Sequence, residues 1–126
     1  MLILLSAAKL VVYCSDQAHS SVEKAALLAS VIVRKVKATP NDENDLGMDG
    51  LALEKAIIRD LECGLVPFYV CATLGTTSSL AFDKLDEVGL VTKKYDLWLH
   101  VDAAYAGSAL VCPEYRHIMK GVEVRA

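Results

Sequence analysis

Four short β-like runs, most of them apolar, alternate with helix-like stretches along this chain, and that alternation restricts the fold more than any other feature. The runs occupy residues 10–14, 34–38, 68–73 and 97–101. They are mostly apolar on both sides, as strands buried in a parallel sheet are. Between them the apolar spacing turns helical. Ser20 and Glu23 have the spacing of a capping box ahead of a stripe of Val22, Ala25, Ala26, Ala29 and Val33. Asp49 is placed to cap a helix carrying Leu53, Ile57 and Leu61, which Gly64 ends. Asp83 is placed to cap a helix carrying Leu85, Val88 and Thr92, with Asp86 reaching back, and Pro113 opens a last helix running to Lys120. Residues 39–50, rich in Pro, Asn, Asp and Gly, read as a surface loop. The order β-α-β-α-β-α-β-α predicts an α/β fold on a parallel sheet with right-handed crossovers. A chain of 126 residues has room for one such domain and shows no internal repeat.

Composition removes several function classes. A net charge of −3 leaves no basic surplus for a phosphate backbone, so a nucleic-acid partner is disfavoured. No apolar run approaches the roughly 18 residues of a membrane span. The start, Met1 to Lys9, has the apolar character of a signal peptide but no positive leader, and it reads as a buried N-terminal segment. Cys14, Cys63, Cys71 and Cys112 have neither CxxC spacing nor a histidine at ligand distance. Their apolar or small neighbours predict buried free thiols in a reducing compartment, which points to the cytoplasm.

In open parallel sheets, ligands bind beyond the carboxyl ends of the strands. Asp16 to Ser21 follow the first run, Gly75 to Ser79 the third, and His100 to Gly107 close the fourth. Hydroxyl, imidazole and carboxylate groups therefore converge on one edge. A dinucleotide GxGxxG and a P-loop are both missing. Ser20, His19 and Asp102 can be drawn as a triad, but no GxSxG elbow supports it. His100 and Asp102 share a strand face, yet two ligands without a third make a poor metal site.

Longer stretches carry more. Ser15-Asp16-Gln17-Ala18-His19-Ser20-Ser21-Val22-Glu23-Lys24, Ala72-Thr73-Leu74-Gly75-Thr76-Thr77, Trp98-Leu99-His100-Val101-Asp102-Ala103-Ala104-Tyr105-Ala106-Gly107-Ser108-Ala109 and Cys112-Pro113-Glu114-Tyr115-Arg116-His117 together resemble the group II pyridoxal-phosphate-dependent amino-acid decarboxylases, most closely their aromatic-amino-acid branch. The resemblance runs from Lys9 to Glu123. It implies a portion of the large domain of fold-type-I pyridoxal enzymes, pyridoxal 5'-phosphate as cofactor, and an aromatic L-amino acid as substrate, in a homodimeric parent. It also implies roles for residues. The histidine matching His19 stacks on the cofactor ring and assists protonation, the aspartate matching Asp102 binds the pyridine nitrogen, the alanine matching Ala104 packs on the other ring face, and the threonine matching Thr77 touches the cofactor. A carboxylate about 4 Å from a protonated ring nitrogen is worth about 4 kcal/mol at an effective dielectric of about 20. Aldehyde-forming relatives tend to carry Asn where His19 stands, so the resemblance implies simple decarboxylation.

The departures from the family are as informative. Its cofactor-bearing lysine lies in an Asn-Pro-His-Lys stretch that would fall beyond Ala126, and none of the nine lysines here replaces it. The upstream phosphate-binding serines and the C-terminal small domain have no counterpart. The expectation is therefore a partial large domain over residues 1–126, inactive by itself. The alternatives are a noncatalytic remnant or truncated paralogue acting at most as an interaction partner, and an unrelated small-molecule module of flavodoxin type.

Overall fold

A computed structural model describes residues 8–38, 40 and 46–123. The expected buried N-terminal segment lies outside the described residues apart from Ala8 and Lys9, as does most of the loop after residue 38. Four strands form one parallel sheet: β1 (Leu10–Ser15), β2 (Ile32–Val36), β3 (Val66–Thr73) and β4 (Trp98–Asp102). Their spatial order is β2-β1-β3-β4. Three helices cross over between them: α1 (Ser20–Ala29), α2 (Gly50–Glu62) and α3 (Leu85–Lys94). Two 3-10 segments, Gly107–Val111 and Pro113–Met119, follow β4. The α/β parallel architecture expected from the alternation is the one observed, except that its last helix is replaced by these tighter turns.

The two faces of the sheet are covered unequally. Strand side chains alternate sides, and Val11, Tyr13, Val70 and Ala72 point toward α2 and α3. There they meet Leu53, Ile57, Leu85 and Val88 in a closed core. The opposite face, carrying Val12, Cys14, Cys71 and His100, is covered only in part by α1. Ala26 is the one buried residue of α1, and Leu27 and Leu28 are exposed.

Local chemistry explains where several expectations shift. α1 begins after His19, whose Nδ1 accepts from the Ser21 amide at 3.2 Å, so His19 and not Ser20 is the cap. Glu23 turns away from the cap and pairs with Lys35 at 3.0 Å. Ser30 takes a left-handed conformation and ends α1, which frees Ile32 and Val33 to enter β2 two residues earlier than expected. Asp49 caps α2 as expected, accepting from Ala52 N at 2.7 Å, and Leu61 ends up exposed. Asp83 does not cap α3. Its buried carboxylate accepts from Met48 N and Thr73 N, each at 2.7 Å. Cys14 and Cys71 are buried thiols as expected, whereas Cys63 and Cys112 are exposed.

One buried polar group ties α2 to the sheet. Asp60 accepts from Tyr13 Oη at 2.9 Å and takes both Nε and Nη2 of Arg34, at 3.0 and 2.7 Å. Burial and the Asp60 bond hold the Tyr13 phenol well above its ordinary range. Asp60→Ala strands the phenol in the core, while Arg34, 42% exposed, regains water. The expected loss is about 2 kcal/mol, below the range for a fully buried pair, and chemical denaturation measures it. The thiols set a second expectation. Burial pushes Cys14 up to about 11 and Cys71 up to about 12 from an ordinary 9.0. Below pH 9 both states keep these thiols protonated. Between pH 9 and 11 the unfolded chain ionises first, so stability falls as pH rises, by about 1.4 kcal/mol per pH unit for each thiol. A Cys14→Ala/Cys71→Ala variant should show a flatter alkaline limb in the same titration.

Candidate functional site

The carboxyl ends of β1, β3 and β4 open onto one cleft of about 470 Å³. β4 supplies His100 and Asp102. After it, the Ala104 amide donates to Asp102 Oδ1 at 3.1 Å, and the turn brings Ala104 and Tyr105 to the rim. β3 supplies Thr73, and the strand ends are clamped together because Leu74 N donates to the Asp102 carbonyl at 2.8 Å. The loop after β3 is built around Thr76. Its buried hydroxyl meets Ser79 Oγ at 2.8 Å and accepts from Ala81 N at 3.0 Å, which leaves Thr77 exposed at the tip. From β1 the chain passes to His19 at the head of α1. With Nδ1 accepting from the Ser21 amide and lying 2.9 Å from Ser21 Oγ, the neutral ring carries its proton on Nε2.

All four residues singled out from the sequence, His19, Thr77, Asp102 and Ala104, line this cleft. They come from three separate connections, up to 85 positions apart in the chain (from 19 to 104). The triad drawn from Ser20, His19 and Asp102 does not form: the hydroxyl beside the His19 ring belongs to Ser21. Nor is there a metal centre among the described residues, where no group of three ligating side chains occurs. His100 instead lies parallel to the Tyr69 ring at 6.1 Å. Beside the polar cleft lies an apolar one of about 390 Å³ under α1, and Ser21, His100 and Asp102 line both.

Thr73 is the lining residue that sequence reasoning passed over as an ordinary strand threonine. The signal for it was register. Thr73 pairs with Asp102 and Cys71 with His100 across β3 and β4, so Thr73 and Asp102 end neighbouring strands on the same face.

Comparison with known proteins assigns the family. Residues 5–126 match the family model described as the pyridoxal-dependent decarboxylase conserved domain. The chain belongs to the pyridoxal-dependent decarboxylase family. Aromatic-L-amino-acid decarboxylase of Drosophila melanogaster is 64% identical over 115 residues, 91% of this chain and 22% of that protein. Histidine decarboxylase of the same fly is 59% identical over 116 residues, 92% of this chain and 13% of that protein. Among solved structures, Oryza sativa TDC with PLP and tryptamine superimposes with a TM-score of 0.89 at 45% identity, over 97% of this chain and 26% of that one. Catharanthus roseus tryptophan decarboxylase in complex with L-tryptophan gives 0.87 at 42%, over 95% and 26%. The chain thus spans about a quarter or less of the length of these decarboxylases, and its sheet has the architecture of their large domain. Among the described residues, no helix is long and apolar enough to cross a membrane.

One turn lining the cleft depends on a glycine. Gly75 has φ +82°, and a Cβ there would lie 3.0 Å from Ala106 Cβ and 3.3 Å from Tyr105 Cδ1. Gly75→Ala adds backbone strain to that crowding and should cost about 1–2 kcal/mol. Thermal unfolding reads the loss, and a wild-type midpoint would show that the turn relaxes freely.

Proposed function

We propose that this chain is the cofactor-binding part of the large domain of a pyridoxal-phosphate-dependent decarboxylase that converts an aromatic L-amino acid to its amine. The observation that carries the reading is the meeting of His19, Thr77, Asp102 and Ala104 in one cleft at the carboxyl ends of parallel strands. The donor set suits the cofactor. Asp102 offers a carboxylate that, among the described residues, enters none of the ion pairs. Thr73 Oγ1 is buried in the cleft wall and, among the described residues, has no hydrogen-bond partner. Ala104, with its small side chain, lines the cleft beside Asp102.

When bound, pyridoxal phosphate supplies an electron-accepting ring that takes up the electron pair left as carbon dioxide departs. The protein's part is to keep that ring electron-poor and fixed. Asp102 holds a proton at the ring nitrogen by charge, and the Ala104 amide on Oδ1 holds Asp102. Ala104, small at the rim, would let a flat ring come close. His19 would offer its imidazole to the bound cofactor, and with Nδ1 accepting from the Ser21 amide its proton sits on Nε2. Thr77 supplies a hydroxyl at the loop tip. Similarity to the fly aromatic decarboxylase supports an aromatic substrate; a homodimeric parent and a cytoplasmic setting belong to the same reading. His19 favours release of amine over aldehyde. The noncatalytic reading draws on a different observation: among the described residues no lysine lines the cleft, so the 126 residues alone are expected to release no carbon dioxide.

A graft tests the reading. This segment replaces the matching 115 residues of the Drosophila melanogaster enzyme, and amine and carbon dioxide are assayed with aromatic L-amino acids. The graft should form amine. Asp102→Asn in the graft should lower kcat about a hundredfold or more, since Asp102 is half-buried and part of its roughly 4 kcal/mol is screened. An inactive, well-folded graft, or one releasing mainly aldehyde, would overturn the proposal.

A further inference from the structure

Thr73 closes β3 and Asp102 closes β4, and the two are partners in the parallel register. Side chains so paired stand on one face at the strand spacing of about 4.8 Å. The main chain of Thr73 is held from both sides: its amide donates to Asp83 Oδ2 at 2.7 Å, and its carbonyl accepts from Asp83 N at 2.9 Å. Only the hydroxyl is left over. Thr73 is 4% exposed, and its Oγ1 is the buried side-chain atom without a hydrogen-bond partner among the described residues. An unpaired buried hydroxyl is unfavourable, and valine would fill the same space without that cost. Thr73 also lines the cleft that Asp102 faces.

Resting on the cofactor reading above, we infer that Thr73 is a positioning residue for that cofactor, its hydroxyl donating to the Asp102 carboxylate oxygen not taken by the Ala104 amide once a protonated ring nitrogen draws the carboxylate into the cleft. Oδ1 is already engaged by Ala104 N at 3.1 Å. A donor on the second oxygen fixes the plane of the carboxylate, so that its charge stays aimed at the ring. Thr73 touches Asp102 and acts through it.

Two variants of the full-length protein carrying this chain, Thr73→Val and Thr73→Ser, decide the matter by pyridoxal phosphate titration and by thermal unfolding with and without cofactor. The cofactor-free Val variant should unfold at or above the wild-type midpoint, because it loses only an unpaired hydroxyl. Its affinity for pyridoxal phosphate should fall about tenfold, as expected for a hydrogen bond to a charged group, with a smaller cofactor-induced rise in midpoint. The Ser variant should recover the affinity even where its missing methyl lowers the midpoint. A Val variant that binds cofactor like wild type overturns the inference and leaves the proposed function standing. A Val variant destabilised without cofactor overturns it as well, because the hydroxyl then already has a partner. Wild-type protein that takes up no pyridoxal phosphate overturns the reading on which the inference rests.

Discussion

The buried carboxylate of Asp83 fixes where the strand ends stop, and the cleft follows from that. One oxygen accepts from Met48 N and the other from Thr73 N, each at 2.7 Å, while the Asp83 amide donates back to the Thr73 carbonyl. Lys84 N adds a bond to the Met48 carbonyl at 3.0 Å. A single side chain thus joins the approach to α2, the end of β3 and the start of α3. A charge buried this deeply is tolerable only when hydrogen-bonded, so the three segments are held together or not at all. Gly47 belongs to the same junction: a Cβ there would collide with the Phe82 carbonyl.

This junction also marks the limit of what the sequence reveals. A carboxylate two residues before a helix reads as a local cap, and nothing nearby in the chain announces that its partners are Met48, 35 positions upstream, and Thr73, 10 upstream. The capping box at Ser20 failed for a related reason, because a cross-element charge, Lys35, outcompeted the local amide for Glu23. By contrast, β1 and the second half of β3 were legible because they are buried on both faces. β1 lies at 0–6% exposure from Val11 to Cys14. Strand boundaries moved where an apolar run continued from helix into strand, as at Val31 to Val33, and where a left-handed serine broke it.

The candidate site was more legible than its surroundings. Strand-end placement brought out the three stretches that form the cleft, since topology sends every β-to-α turn of a parallel sheet to one edge, and the family resemblance picked out His19, Thr77, Asp102 and Ala104 within them. Thr73 was not legible. It is a strand former by propensity, and its importance lies in register with Asp102, a property of two strands and not of one. The cysteines divide in the same way. Cys14 and Cys71 follow the period of buried strands, whereas Cys63 at the end of α2 and Cys112 between the 3-10 turns lie at surface junctions that composition does not mark.

The unequal covering of the sheet gives the cleft its character. Behind it, α2 and α3 seal one face with Leu53, Ile57, Leu85 and Val88, and Asp60 pins α2 through Tyr13 and Arg34. In front of it, α1 buries little more than Ala26, and Trp98 and His100 on β4 remain open. The polar groups of the site therefore stand on strand ends whose backbones are rigid from behind, while their side chains face free space. The strand ends hold the main chain of the site in place before a ligand arrives, so little backbone ordering remains to be done on binding. Electrostatics works in the same direction. The Asp102 main chain is tied to the end of β3 by the bond from Leu74 N to its carbonyl, and the residue lines the cleft. On the proposed function, its carboxylate would meet the cationic ring nitrogen of a cofactor held in that cleft.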